Sequence, residues 1–228
     1  MGLAVVFVAW PAPARAAEGQ AGSIHEPYAL GRCAACHTPH GAAGSGLTMQ
    51  SVNELCLSCH EDIGIALESA AANAGGSRHK PIDEPKGCLS CHEPHRSRNQ
   101  HLLKEAYPTE FYAPYDSKGY ALCFSCHPRS NFEEASVAGV GINGDQLRAQ
   151  GIATGFRDGR LNLHFKHVDK EYKGRTCSVC HDPHASPQPR LIRRSVGFGE
   201  WDLPIIFTAT PDGGTCTSGC HQPISYRR

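Results

Sequence analysis

A chain of 228 residues with 24 glycines, 16 prolines and only 7% aromatic residues has few long stretches in which apolar residues recur at helical spacing. That composition excludes a large domain held together by its own apolar core. Twenty-two Lys and Arg balance 22 Asp and Glu, so with neutral histidines the formal charge is zero and the protein part has no basic surplus for nucleic acid.

At the N-terminus, Gly2 to Trp10 is apolar, and Pro11 to Ala17 offers small residues of the A-x-A kind around Ala14 and Ala16. This is the pattern of a secretory signal peptide over residues 1–17, although a basic n-region is missing and a buried strand or short helix is the other reading. The apolar run is too short to span a bilayer and no later stretch is continuously apolar, so no transmembrane segment is expected in the mature chain.

All 12 cysteines fall into six pairs, each followed at once by a histidine. In chain order these are Cys33/Cys36/His37, Cys56/Cys59/His60, Cys88/Cys91/His92, Cys123/Cys126/His127, Cys177/Cys180/His181 and Cys216/Cys220/His221. The first five read C-x-x-C-H, and the sixth, Cys-Thr-Ser-Gly-Cys-His, has one extra residue between its cysteines. C-x-x-C-H is the attachment signature of c-type haem, two thiols forming thioethers to the porphyrin and the adjacent imidazole taking one axial site. Zinc ribbons and disulfide frameworks also use paired cysteines, but neither requires a histidine directly after the second. Six covalently bound haems are therefore expected, supplying the apolar interior that the chain lacks. Their propionates would bring the holoprotein to roughly −12 if all ionise, which favours basic redox partners and disfavours nucleic acid.

Three tandem units follow, each with an upstream histidine, a motif extended to C-x-x-C-H-x-P-H, a short aliphatic element and a second motif. Unit one (18–70) has His25, the run from Cys33 to His40, Gly46-Leu47-Thr48-Met49, and the motif ending at His60. Unit two (71–127) has His79, the run from Cys88 to His95, His101-Leu102-Leu103-Lys104, and the motif ending at His127. Unit three (164–228) has His164 or His167, the run from Cys177 to His184, Arg190-Leu191-Ile192-Arg193, and the irregular motif ending at His221. Between units two and three, residues 128–163 contain neither Cys nor His and read as a linker or a partner-docking insertion.

From about Ile24 onward the chain resembles the multihaem cytochromes with the doubled CxxCH motif. The resemblance is carried by the three H-x-P-H extensions and by stretches such as His79-Lys-Pro-Ile and Asn162-Leu-His-Phe-Lys-His167. It implies an electron-transfer protein with histidine on both faces of each iron.

The ligand count agrees. Of 14 histidines, six sit in the motifs, leaving His25, His40, His79, His95, His101, His164, His167 and His184 for six distal sites. Met49 aligns with aliphatic positions of the other units and reads as packing, so low-potential bis-histidine haems are expected. His40, His95 and His184 lie three residues after a motif histidine, too close to cross to the far face of the same porphyrin. They are expected on the second haem of their own units. His25, His79 and His167 precede the first cysteine by eight to ten residues and are expected over the first haem of their units. Spacing prefers His167 over His164, which could reach a haem of a different unit, and His101, with Gly46 and Arg190 at its place in the other units, reads as surface.

The expected fold is mostly irregular with short α-helices: a multihaem cytochrome with a haem-organised core and three tandem dihaem units. The motifs are expected on short helices, with a further helix near Ile63 to Ala72. The leading function is a periplasmic or extracellular hexahaem carrier passing electrons among redox protein partners, an outer-membrane conduit or other multihaem cytochromes. Two alternatives stand beside it, a catalytic reductase for nitrite, hydroxylamine or a sulfur oxyanion, and a self-assembling subunit of a haem-containing filament.

Overall fold

The computed structural model of the protein describes residues 22–135 and 154–228; the signal-peptide reading of residues 1–17 and the middle of the 128–163 segment lie outside these. In each of the five regular motifs the histidine N–H donates to the carbonyl of the first cysteine, at 2.9 to 3.0 Å, closing one helical turn. Four residues make one turn of helix, so both thiols and the imidazole project from a single local platform.

The x-Pro-His extension then runs into a hairpin that is built the same way three times. Isolated bridges join His37 to Thr48, His92 to Leu103 and His181 to Ile192. At the tip two successive residues are left-handed: Gly46 and Leu47 (φ 69° and 61°), His101 and Leu102 (54° and 56°), Arg190 and Leu191 (60° and 59°). Only glycine takes that conformation without cost, so the tips of units two and three carry strain that Gly46 avoids in unit one.

The units dock through short antiparallel ladders. Strand β1 (Ser23–Ile24) lies before His25, β2 (Ser77–Arg78) before His79, and β3 (Arg96–Ser97) after His95. β4 (Tyr112–Ala113), β5 (Arg157–Asp158), β6 (Leu161–Asn162) and β7 (Gly174–Arg175) follow, and β8 (Ala185–Ser186) comes after His184. β1 pairs with β3 and β2 with β8, so each unit's upstream segment lies against the x-Pro-His run of the next unit. The His25 N–H donates to the His95 carbonyl and the His79 N–H to the His184 carbonyl, both at 3.0 Å. Ser23 and Ser77 complete the match, each accepting the N–H of the tip leucine, Leu102 or Leu191, at 2.7 Å. β4 pairs with β7, joining the tail of unit two to the approach to Cys177, where Tyr107 Oη accepts the Ser178 N–H at 2.7 Å.

Apolar burial is thin. One cluster joins Leu67 and Ala70 of the Glu61–Ala72 helix to Ala185, and a second joins Val179, Val196 and Ile205. The helix stands where the sequence puts it.

The C-terminus differs from expectation. β9 (Ser195–Phe198), β10 (Trp201–Thr210), β11 (Gly213–Ser218) and β12 (His221–Arg227) form a four-stranded antiparallel sheet, so the chain is less irregular and less helical than expected there. The alternative signal was present in Ile205-Ile206-Phe207-Thr208 and the turn residues Pro211-Asp212-Gly213. Gln188 fastens the sheet to the hairpin of unit three, donating to the Ile205 carbonyl at 2.8 Å and accepting the Phe207 N–H at 2.9 Å.

The three hairpin tips give a direct test. An added Cβ at Gly46 would meet nothing within 4 Å, so only the backbone conformation is at stake. Gly46→Val should destabilise by about 1–2 kcal/mol. His101→Gly should be neutral or stabilising by up to about 1 kcal/mol. Denaturant unfolding of the haem-loaded protein, followed by circular dichroism, measures both.

Candidate haem sites

Each motif histidine of the three hairpins is held by its hairpin tip. Nδ1 of His37, His92 and His181 lies 2.9 Å from the carbonyl of Gly46, His101 and Arg190. A carbonyl only accepts, so Nδ1 carries the proton and the Nε2 lone pair is left to bind a metal. His101, read as surface, therefore serves through its backbone while its side chain stays exposed.

A second imidazole stands opposite most motif histidines. The rings of His25 and His60 are 6.2 Å apart and within 16° of parallel, His37 and His95 6.0 Å and 28°, and His79 and His127 6.3 Å and 15°. His92 and His184 are 6.1 Å apart at 18°, and His164 and His181 6.4 Å apart at 30°. Two imidazoles bound to one metal through bonds of about 2 Å place their ring centres about 6 Å apart, so this spacing fits an iron between them. His221 has His167 near enough for their charges to interact.

These partners correct the expected assignment. His25 and His79 face the second motif histidine of their own units, not the first, and His167 is near His221 rather than His181. His95 and His184 reach back to the first motif histidine of the preceding unit, and His164, not His167, stands beside His181. The expectation treated the eight to ten residues before Cys33 or Cys88 as slack; the β1–β3 and β2–β8 ladders take up that chain and aim it at the neighbouring unit. His40 is brought beside no other histidine ring among the described residues and is exposed.

Three of the facing histidines are also held by hydrogen bonds. Nδ1 of His79 donates to the Pro183 carbonyl at 3.0 Å, and Nδ1 of His167 to the Leu163 carbonyl at 2.7 Å. Thr154 Oγ1 lies 2.7 Å from Nδ1 of His164, whose ring packs between Phe132 and Phe156. Asn162 caps the Leu163–Val168 helix that carries both histidines, accepting from the His164 and Phe165 N–H groups and donating to the Asn131 and Glu134 carbonyls. Thr154, Asn162, Phe132 and Phe156 were missed in the sequence because their segment carries neither Cys nor His. The signal available was the N-cap Asn162 before an apolar helix.

Burial favours the neutral form of six of these imidazoles. It drives His164 down to about 3 and lowers His181, His92, His127, His167 and His184. The neutral ring is the form that ligates a metal.

No two of the 12 cysteines are joined in a disulfide, and among the described residues no three or more His, Cys, Asp or Glu converge on a metal-sized site. Successive motifs lie near one another: Cys36 is close to Cys56, Cys56 to Cys88, Cys91 to Cys123 and Cys126, Cys123 to Cys177, and Cys180 to Cys216 and Cys220. Asn53, three residues before Cys56, accepts the Cys88 N–H at 3.1 Å.

Cys33, Cys59, Cys126 and Cys220 are exposed and the other cysteines partly buried. One motif departs from expectation. The sixth motif is carried on the hairpin of β11 and β12, Ser218 opposite His221, rather than on the short helix expected of it. The strand register shifts between Cys216 and Ser218, within the longer spacer.

The family of the doubled CXXCH motif matches residues 25–64, 79–132 and 170–197, together more than half of the chain. The chain belongs to this family and is a multihaem c-type cytochrome that binds its haem covalently through C-x-x-C-H. The match includes the five regular motifs and stops short of Cys216 to His221. No curated protein and no solved structure matches the chain.

The crossed ligation is testable. His95→Ala should open the iron held by His37, giving one high-spin haem by EPR at unchanged haem content. In a chain whose Cys33 and Cys36 are both replaced by Ala, His95→Ala should open no further iron. Ligation within the unit would still expose the iron at Cys123 and Cys126.

Proposed function

We propose that the protein is a secreted electron carrier with six covalently attached haems, each ligated by two histidines and arranged in chain order. The motif cysteines and His37, His60, His92, His127, His181 and His221 would hold the six groups, with His95, His25, His184, His79, His164 and His167 on the opposite faces. Each haem supplies a one-electron iron couple when bound, and two imidazoles with no methionine favour a low potential.

The observation that carries this reading is the continuous adjacency of the motifs. Cys36 lies near Cys56, Cys56 near Cys88, Cys91 near Cys123, Cys123 near Cys177, and Cys180 near Cys216. No motif is bypassed, which suits transfer from one end to the other. A reductase needs an iron with one open face, and a second imidazole beside every motif histidine favours the carrier. Covalent haem attachment in bacteria takes place outside the cytoplasm, which with the apolar N-terminal segment supports a periplasmic or extracellular location. No described helix is long and apolar enough to cross a membrane. The partners proposed are redox proteins with basic docking surfaces, among them an outer-membrane conduit or other multihaem cytochromes.

Intact mass after acid and organic extraction should retain six haems. A mass of five with free thiols at Cys216 and Cys220 would reject the irregular site alone. EPR of the oxidised protein should show low-spin iron throughout, with no cyanide uptake at ordinary concentration. A stoichiometric high-spin signal would move the reading to a reductase.

A further inference from the structure

Backbone carbonyls take the Nδ1 proton of His37, His92, His181, His79 and His167. His164, which stands opposite His181, is held differently. Its Nδ1 lies 2.7 Å from Thr154 Oγ1, and that oxygen also accepts the Phe156 N–H at 3.1 Å. With Nε2 turned to a metal, Nδ1 carries the proton and the hydroxyl oxygen accepts two bonds at once. A hydroxyl shared in this way draws on the Nδ1 proton less than an amide carbonyl does. The imidazole then has less anionic character and stabilises ferric iron less.

A cation stands beside the same pair. The hairpin residue whose N–H donates to the carbonyl of the second cysteine is Met49 in unit one, Lys104 in unit two and Arg193 in unit three, on Cys36, Cys91 and Cys180. Lys104 is exposed, and its Nζ donates to the Leu89 carbonyl at 2.6 Å. Arg193 is partly buried, and its Nε is enclosed with no hydrogen-bond partner among the described residues. Its charge reaches both His181 and Cys180, and Arg175 adds a second at Cys180. Asp182, the nearest acid in sequence, turns its carboxylate to the His184 N–H at 3.0 Å, on the residue whose ring faces His92.

The apolar surroundings act in the same direction. Val179, between the two cysteines, is 3% exposed and packs with Val196 and Ile205, with Phe111, Ile192 and Leu203 against them. An iron held by a porphyrin dianion and two neutral imidazoles has one net positive charge when ferric and none when ferrous. A dry site beside an arginine therefore favours the ferrous form.

We propose that Thr154, acting through His164, and Arg193 make the haem of Cys177, Cys180 and His181 the highest-potential member of the array, so that a single electron entering the chain rests there. The change is one electron gained by that iron from a ferrous neighbour, which becomes ferric, with no bond formed or broken and no proton moved. This inference rests on the bis-histidine reading above.

The test is stepwise electrochemical reduction of the haem-loaded protein, with the low-spin EPR signals followed in samples frozen at successive potentials. One component should be reduced before the rest. Arg193→Gln should lower the reduction equilibrium of that component about tenfold, or about 59 mV for a one-electron couple, at unchanged haem content. Thr154→Asn, which supplies a carbonyl acceptor, should lower the same component. Arg193→Lys and Thr154→Ser, which keep the charge and the hydroxyl, should retain its potential, and Lys104→Gln should leave it in place. A first component unmoved by Arg193→Gln, or moved as far by Lys104→Gln, overturns the proposal, as do different components answering to Arg193→Gln and Thr154→Asn. If Arg193→Gln loses haem, Thr154→Asn decides, and a first component that it leaves unmoved overturns the proposal. A high-spin signal in the unaltered protein would instead count against the bis-histidine reading.

Discussion

The structure depends on one repeated constraint, an imidazole whose Nδ1 is fixed by a backbone carbonyl and whose Nε2 faces a second imidazole about 6 Å away across the ring centres. The carbonyl comes from the tip of the same unit, which holds two successive left-handed residues, and for His37 and His92 the second imidazole comes from the following unit. The apolar clusters are too small to hold the units together without these shared sites.

The crossing explains why the units are not separable modules. β1 on β3 and β2 on β8 are ladders of two residues each, too short to hold alone. Ser23 and Ser77 add hydrogen bonds to the hairpin of the next unit, and His95 and His184 return an imidazole to the unit before. Backbone pairing, side-chain capping and the facing imidazoles therefore all meet at the same junctions.

Much of this was legible in the sequence. The six motifs, the three x-Pro-His extensions and the alignment of Gly46, His101 and Arg190 all recur in the structure at equivalent places. What could not be read was direction. Three residues between His92 and His95 bar a shared iron, but spacing says nothing about whether His95 turns forward or back. That choice is made by a ladder between residues 23–24 and 96–97, whose pattern is too short to leave a trace in periodicity. The 128–163 segment has the same limit. Without Cys or His it reads as a connection, yet Phe132, Thr154, Phe156 and Asn162 together form the seat of His164.

The two proposed directions of ligation would impose an order on maturation. A chain emerging from its N-terminus delivers His25 before His60, His79 before His127, and His164 and His167 before His181 and His221, so four sites would find their second ligand already made. The site at His37 would wait for His95, and that at His92 for His184, 58 and 92 residues later. During that interval each would hold a haem with one face bare to solvent and small oxidants. Completing the next unit would retire the exposed iron, so a stalled or truncated chain would be a reactive species where the finished one is inert.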